Sequence, residues 1–124
     1  MIYGIGTDII EVERVKKSIS RISGFKEKIF SAAEIEYCES KRNKYENYAG
    51  RFAAKEAFLK ALGTGWRNGI GFNEISIRNN ELGKPYIKLS GRALEYTSEI
   101  GISEFHVSVS HTKSNATAFV VLEK

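Results

Sequence analysis

The chain has 124 residues, 42% hydrophobic and 27% charged, which suits one soluble globular domain over residues 1–124. No apolar run approaches the roughly 20 residues that cross a bilayer, and no basic segment precedes the first apolar residues, so neither membrane association nor a secretion signal is expected. A single cysteine, Cys38, rules out an intrachain disulfide and fits a cytoplasmic protein; with only two histidines beside it, any metal is expected to be a hard ion held by carboxylates and phosphate rather than a Cys/His zinc site.

Residues 2–9 alternate as a first strand, with Tyr3, Ile5, Thr7 and Ile9 on one face and Ile2, Gly4, Gly6 and Asp8 on the other. Two glycines beside an acid mark a bulge or a close approach by another backbone or a ligand. Asp8 then either points into a cleft or caps the following helix. Residues 11–22 form an amphipathic helix with Val12, Val15, Ile19 and Ile22 as its apolar stripe. The net charge of +4 concentrates here: residues 14–28 carry Arg14, Lys16, Lys17, Arg21, Lys26 and Lys28 against Glu27 alone. Such a patch suits an anionic partner (nucleic acid, an acidic protein or a phosphorylated small molecule) or is simply a solvated helix face. Aromatic residues do not interleave with these basic ones as stacking platforms would, so nucleic acid is not the expected partner.

Ser31 and Glu34 form a capping box that opens a helix through about residue 39. Residues 40–47 are a loop or the frayed start of the next helix. That helix, ending in residues 51–65 (RFAAKEAFLKALGTG), is the most informative stretch. Phe52, Ala54, Ala57, Phe58, Leu59, Ala61 and Leu62 spread around most of its circumference, as in a buried helix. Glu56 and Lys60, at i and i+4, share one narrow wedge and make either an ordinary ion pair or a site. Gly63 and Gly65 stop the helix and leave backbone open to a ligand.

Residues 66–72 read as loop, 74–78 and 86–89 as a hairpin around a turn, and 91–100 as a short helix. Residues 105–111 alternate strictly, with Phe105, Val107, Val109 and His111 on one face, and residues 116–122 return as the closing strand. The order β-α-α-α-β-β-α-β-β predicts an α+β fold, a mainly antiparallel sheet packed against a long buried helix. His111 lies at a strand end, where a histidine is more often structural than catalytic. Two carboxylates from separate elements, Asp8 and Glu56, with Lys60 and backbone amides nearby, can hold Mg²⁺ and phosphate oxygens for phosphoryl-type transfer.

Residues 5–14 (IGTDIIEVER), 48–65 (YAGRFAAKEAFLKALGTG) and 107–112 (VSVSHT), supported by 30–38 (FSAAEIEYC) and 83–85 (GKP), resemble the holo-[acyl-carrier-protein] synthases, the small bacterial class of 4′-phosphopantetheinyl transferase. The likeness spans nearly the whole chain. The pairing of G-x-D-I with F-x-x-K-E-A-x-x-K is specific, whereas either half alone is weak. The resemblance implies the phosphopantetheinyl transferase-like fold and transfer of 4′-phosphopantetheine from coenzyme A to a serine of apo acyl carrier protein. Adenosine 3′,5′-bisphosphate would be released, in the service of fatty acid biosynthesis. It implies Asp8 and Glu56 as ligands of Mg²⁺, with a carboxylate or metal-held water taking the serine proton, and Lys60 as a catalytic and diphosphate-binding cation. Arg51, Lys55, Gly63, Gly65, His111 and Thr112 would line the coenzyme A site. Arg14 and Arg21 would dock the acidic carrier protein. It further implies a homotrimer with its sites between subunits.

Overall fold

In the computed structural model, which describes residues 1–64 and 68–124, the chain runs β1 (Ile2–Glu11), α1 (Val12–Arg21), α2 (Phe25–Ile29), α3 (Ala32–Glu39) and α4 (Lys44–Leu62). A 3₁₀ turn (Phe72–Glu74) leads into β2 (Ile75–Asn79), β3 (Pro85–Leu89), α5 (Gly91–Glu99), β4 (Glu104–His111) and β5 (Asn115–Glu123). The architecture is the expected α+β one. All strand pairs are antiparallel, in a three-stranded sheet of order β1-β5-β4 and a separate hairpin β2-β3. Strand β5 is therefore the centre of its sheet rather than the closing edge. Helix α2 is an addition to the expected order. Its five residues are too few to show a helical period.

Local chemistry explains the element ends. Ser31 Oγ accepts from the Glu34 amide (3.3 Å) while Glu34 Oε1 accepts from the Ser31 amide (2.8 Å), the reciprocal cap of α3. Gly63 closes α4 at φ 79°, where its amide reaches the carbonyls of Leu59 and Lys60. Asp8 does not cap α1: β1 continues to Glu11, which occupies the cap position without a side-chain bond.

Helix α4 lies across the three-stranded sheet at very short range. A Cβ at Gly4 would collide with the Ala61 carbonyl, and one at Gly6 with the Ala57 carbonyl. Ala53, Ala57 and Ala61 on the helix and Ala116 and Ala118 on β5 are almost wholly buried. Small residues on both surfaces let the two backbones nearly touch, which carries the end of β1 onto the α4 face bearing Glu56. Val120, Leu122 and Phe58 fill the rest of this layer. Each large apolar side chain fully buried there stabilises the fold by about 1.5–3 kcal/mol relative to exposure.

The other sheet face is bare. Ile5 (62% exposed), Ile9 (69%) and Phe119 (54%) stand in solvent with Tyr3 beside them. Beneath the hairpin, Lys55 is wholly buried and donates to Glu34 Oε1 (2.7 Å) and to the carbonyls of Phe72 (2.9 Å) and Ile75 (2.5 Å). Glu34 Oε2 accepts from the Ile77 amide at 2.9 Å. This paired, fully bonded charge ties α3 and α4 to β2.

Candidate active site

The end of β1, the first turns of α1 and the middle of α4 enclose a cleft of about 420 Å³. Asp8, Arg14, Glu56 and Lys60 line it, with Phe25 and Phe52 as apolar walls. Asp8 arrives on the inward face near the end of a strand held tight by Gly4 and Gly6. Arg14 comes from the first turn of α1, and Glu56 and Lys60 from one side of α4.

The ion pairing differs from the local expectation. Lys60 does not pair with Glu56 along its own helix. It crosses to β1, donating to Asp8 Oδ1 (3.0 Å) and to the Thr7 carbonyl (3.0 Å). The lysine side chain is half exposed and the aspartate mostly covered. Glu56 is left half-buried, and among the described residues it has no hydrogen-bond or ion-pair partner. Burial pushes its carboxyl pKa above the usual glutamate range. The Asp8 charge raises it further, and Lys60 offsets only part of this. Asp8 is paired with the exposed Lys60 ammonium, while Glu56 keeps both oxygens open to the cleft, with Arg14 also on its lining. Hard oxygen donors in that state fit a divalent cation such as Mg²⁺.

Arg51 and His111 stand elsewhere, in a second cleft of about 200 Å³ between α4, the β2-β3 hairpin and β4. Arg51 is nearly buried. It donates to Asn79 Oδ1 (2.5 Å) and lies over the Tyr37 ring at 4.3 Å, while its Nε finds no partner among the described residues. His111 Nδ1 lies 3.1 Å from Glu46 Oε1. Thr112 ties the β4-β5 turn, its Oγ1 accepting from the amides of Ser114 (3.3 Å) and Asn115 (3.2 Å). Within one chain, then, Asp8, Arg14, Glu56 and Lys60 converge, and Arg51 and His111 form a second group. Arg21 is exposed at the end of α1. Gly63 serves as the helix cap, and Gly65 lies outside the described residues.

Lys55 is not where a ligand-binding role puts it. It is sealed in the core with its donors already engaged, so the expectation that it lines the coenzyme A site gives way to a structural one. The local reading also missed Glu46 and Asn79, the partners of His111 and Arg51. Gly50, inside α4, was the available clue. A Cβ there would sit 2.9 Å from Val109 Cγ1, so the glycine marks where β4 crosses the helix beside Glu46.

Comparison with known proteins bears on this arrangement. The family model of the 4′-phosphopantetheinyl transferase superfamily matches residues 4–120. A holo-[acyl-carrier-protein] synthase of Cytophaga hutchinsonii is 51% identical, covering 100% of this chain and 99% of that protein. Among solved structures, the holo-[acyl-carrier-protein] synthase of Neisseria meningitidis superposes with a TM-score of 0.91 at 38% identity, over 100% of both chains. That of Bacillus anthracis, in complex with coenzyme A (3′,5′-ADP), gives 0.81 at 39% identity over 98% of this chain and 96% of that one.

Proposed function

The chain belongs to the 4′-phosphopantetheinyl transferase superfamily, and from that premise we propose how its two clefts carry out the family reaction. The protein is a transferase that moves 4′-phosphopantetheine from coenzyme A to a serine of apo acyl carrier protein, giving the holo carrier and adenosine 3′,5′-bisphosphate. In this reading residues 1–124 act as one cytoplasmic domain that serves fatty acid biosynthesis. No helix among the described residues is long and apolar enough to cross a membrane.

The observation that carries the site assignment is Glu56, half-buried and unpaired beside Asp8. These two carboxylates would hold Mg²⁺, which when bound neutralises the diphosphate of coenzyme A and the charge developing on the leaving bisphosphate. Lys60 holds Asp8 in place and presents its exposed ammonium to the same diphosphate. The acceptor serine oxygen attacks the β-phosphate. A new O–P bond forms as the bond to adenosine 3′,5′-bisphosphate breaks. We assign the serine proton to Glu56, because its carboxylate lines the cleft with no donor of its own among the described residues, whereas Asp8 is already engaged by Lys60. Arg14, at the rim of the cleft, and Arg21, two turns or about 10 Å further along α1, face the acidic carrier. Charge complementarity of that kind mainly accelerates encounter.

The bare apolar sheet face supports a homotrimer, with Ile5, Ile9 and Phe119 covered by neighbouring copies. Such packing lets the Arg51–His111 cleft of one copy meet the Asp8–Glu56 cleft of the next, so that the phosphates and the nucleotide end of one coenzyme A are shared between them. The test is Asp8→Ala and Glu56→Ala, each assayed for carrier modification at saturating Mg²⁺. A rate loss of about 100-fold or more is expected, with the circular dichroism spectrum unchanged. Near-full rate in either variant would refute the cation assignment.

A further inference from the structure

A separate group of chemistry-bearing side chains sits on the bare face of the three-stranded sheet. Glu104 and His106 are two residues apart on β4, so they point to the same side. Glu123 on β5 is the register partner of Glu104. Glu123 also pairs with Ile2, whereas Asp8 lies six residues along β1 on the opposite face, about 20 Å away along the strand. The cluster therefore shares nothing with the transfer site.

Its geometry is specific. The ligand atoms of the three side chains all lie within 4.8 Å of one another. His106 Nε2 is 3.5 Å from Glu104 Oε2 and 3.5 Å from Glu123 Oε1. A direct charged hydrogen bond would draw nitrogen and oxygen to about 2.7–2.9 Å. Ligands held at about 2.0–2.2 Å around a tetrahedral ion stand roughly 3.3–3.5 Å apart, which is the spacing of His106 from each glutamate, and the two glutamate oxygens lie within 4.8 Å of one another. Nearby cations are engaged elsewhere. The Lys124 ammonium lies over the Tyr3 ring at 5.1 Å, and the amino terminus donates to the Lys124 carbonyl at 2.9 Å. Among the described residues neither Glu104 nor Glu123 pairs with a lysine or arginine.

We propose that Glu104, His106 and Glu123 form a binding site for a divalent transition ion of the Zn²⁺ class, which fastens the carboxy-terminal end of β5 to the edge strand β4. One imidazole nitrogen with two carboxylate oxygens suits Zn²⁺, while Mg²⁺ prefers an all-oxygen octahedron and keeps its waters. Counting cysteines and histidines along the chain does not reveal such a site, because only one ligand is a histidine and the other two reach it through strand pairing.

The test is calorimetric titration of Zn²⁺ into chelator-treated full-length protein carrying Asp8→Ala and Glu56→Ala, so that the transfer site takes no metal. One Zn²⁺ per chain is expected, with a rise in melting temperature that excess Mg²⁺ does not reproduce. His106→Ala should weaken binding roughly tenfold or more, and His111→Ala should leave it unchanged. Glu104→Gln and Glu123→Gln, which keep side-chain shape, should each weaken it as well and stand in if His106→Ala fails to fold. No Zn²⁺ binding, binding indifferent to His106 and both glutamates, or binding lost only with His111 would overturn the proposal and leave a plain ion-paired triad.

Discussion

Glu56 carries opposite consequences for stability and for chemistry. Its carboxyl binds a proton more tightly in the folded chain than in the unfolded one, because burial and the Asp8 charge both disfavour ionisation. Folded protein therefore holds the extra proton between the ordinary glutamate value and the raised one. Stability falls as pH rises through that window, and at neutral pH the ionised group is a net cost. Glu56→Gln is thus expected to raise the melting temperature of metal-free protein at neutral pH while abolishing stabilisation by Mg²⁺. A lower melting temperature with Mg²⁺ stabilisation intact would contradict both halves. With Mg²⁺ present, cation and proton compete for Glu56, so the acid limb of turnover should move to lower pH as Mg²⁺ is raised, and an acid limb indifferent to Mg²⁺ would contradict the assignment. Lys55 illustrates the reverse case. Burial pulls its pKa down and Glu34 holds it up, and it stays in the core only because every donor is satisfied. Lys55→Met should destabilise the fold by about 3–5 kcal/mol by stranding the Glu34 charge, with little change in coenzyme A affinity of the folded fraction. A binding loss without destabilisation would return Lys55 to the ligand site.

Gly4 and Gly6 act through β1 as a whole. With no Cβ they let the strand lie against the carbonyls of Ala57 and Ala61, the residues that directly follow Glu56 and Lys60 along the helix. Gly6→Ala should force strand and helix apart, costing roughly 1–3 kcal/mol of stability and weakening Mg²⁺ affinity of what remains folded. Unchanged unfolding and metal titrations would mean the close approach is not what sets the site. The glycines were readable in the sequence as a close approach, as were the capping box at Ser31 and Glu34, the glycine stop at Gly63 and the strict alternation of β4. These signals are local, carried by residues a few positions apart. The Lys60–Asp8 bond was not readable, since the local rule favours Glu56 four residues away and the true partner lies 52 positions distant. The burial of Lys55 and the pairing of His111 with Glu46 were hidden for the same reason: each depends on which elements the fold brings together.

At the scale of the molecule, one chain holds two separate clefts and one bare apolar face, and the proposed assembly would reconcile all three. If the site is shared between copies, Asp8→Ala and His111→Ala chains, each inactive alone, should complement when refolded together. Random mixing joins the two intact halves at about a quarter of interfaces, so about a quarter of wild-type activity should return. No recovery from a mixture shown to contain hybrid oligomers would place His111 outside the neighbour's site. Phe119→Arg should yield monomers that have lost activity, as judged by light scattering and assay, because a charge on that face opposes its burial. Arg14→Glu should weaken use of the carrier more than binding of coenzyme A. Equal losses would refute that division between the α1 surface and the cleft. The most direct measurement is the intact mass of an apo acyl carrier protein incubated with this protein, coenzyme A and Mg²⁺, alongside an EDTA control. The expected result is a gain of one phosphopantetheine that disappears with EDTA and with Glu56→Ala. An unmodified carrier with folded enzyme, or full modification in EDTA, would contradict a cation-dependent transfer at Asp8 and Glu56.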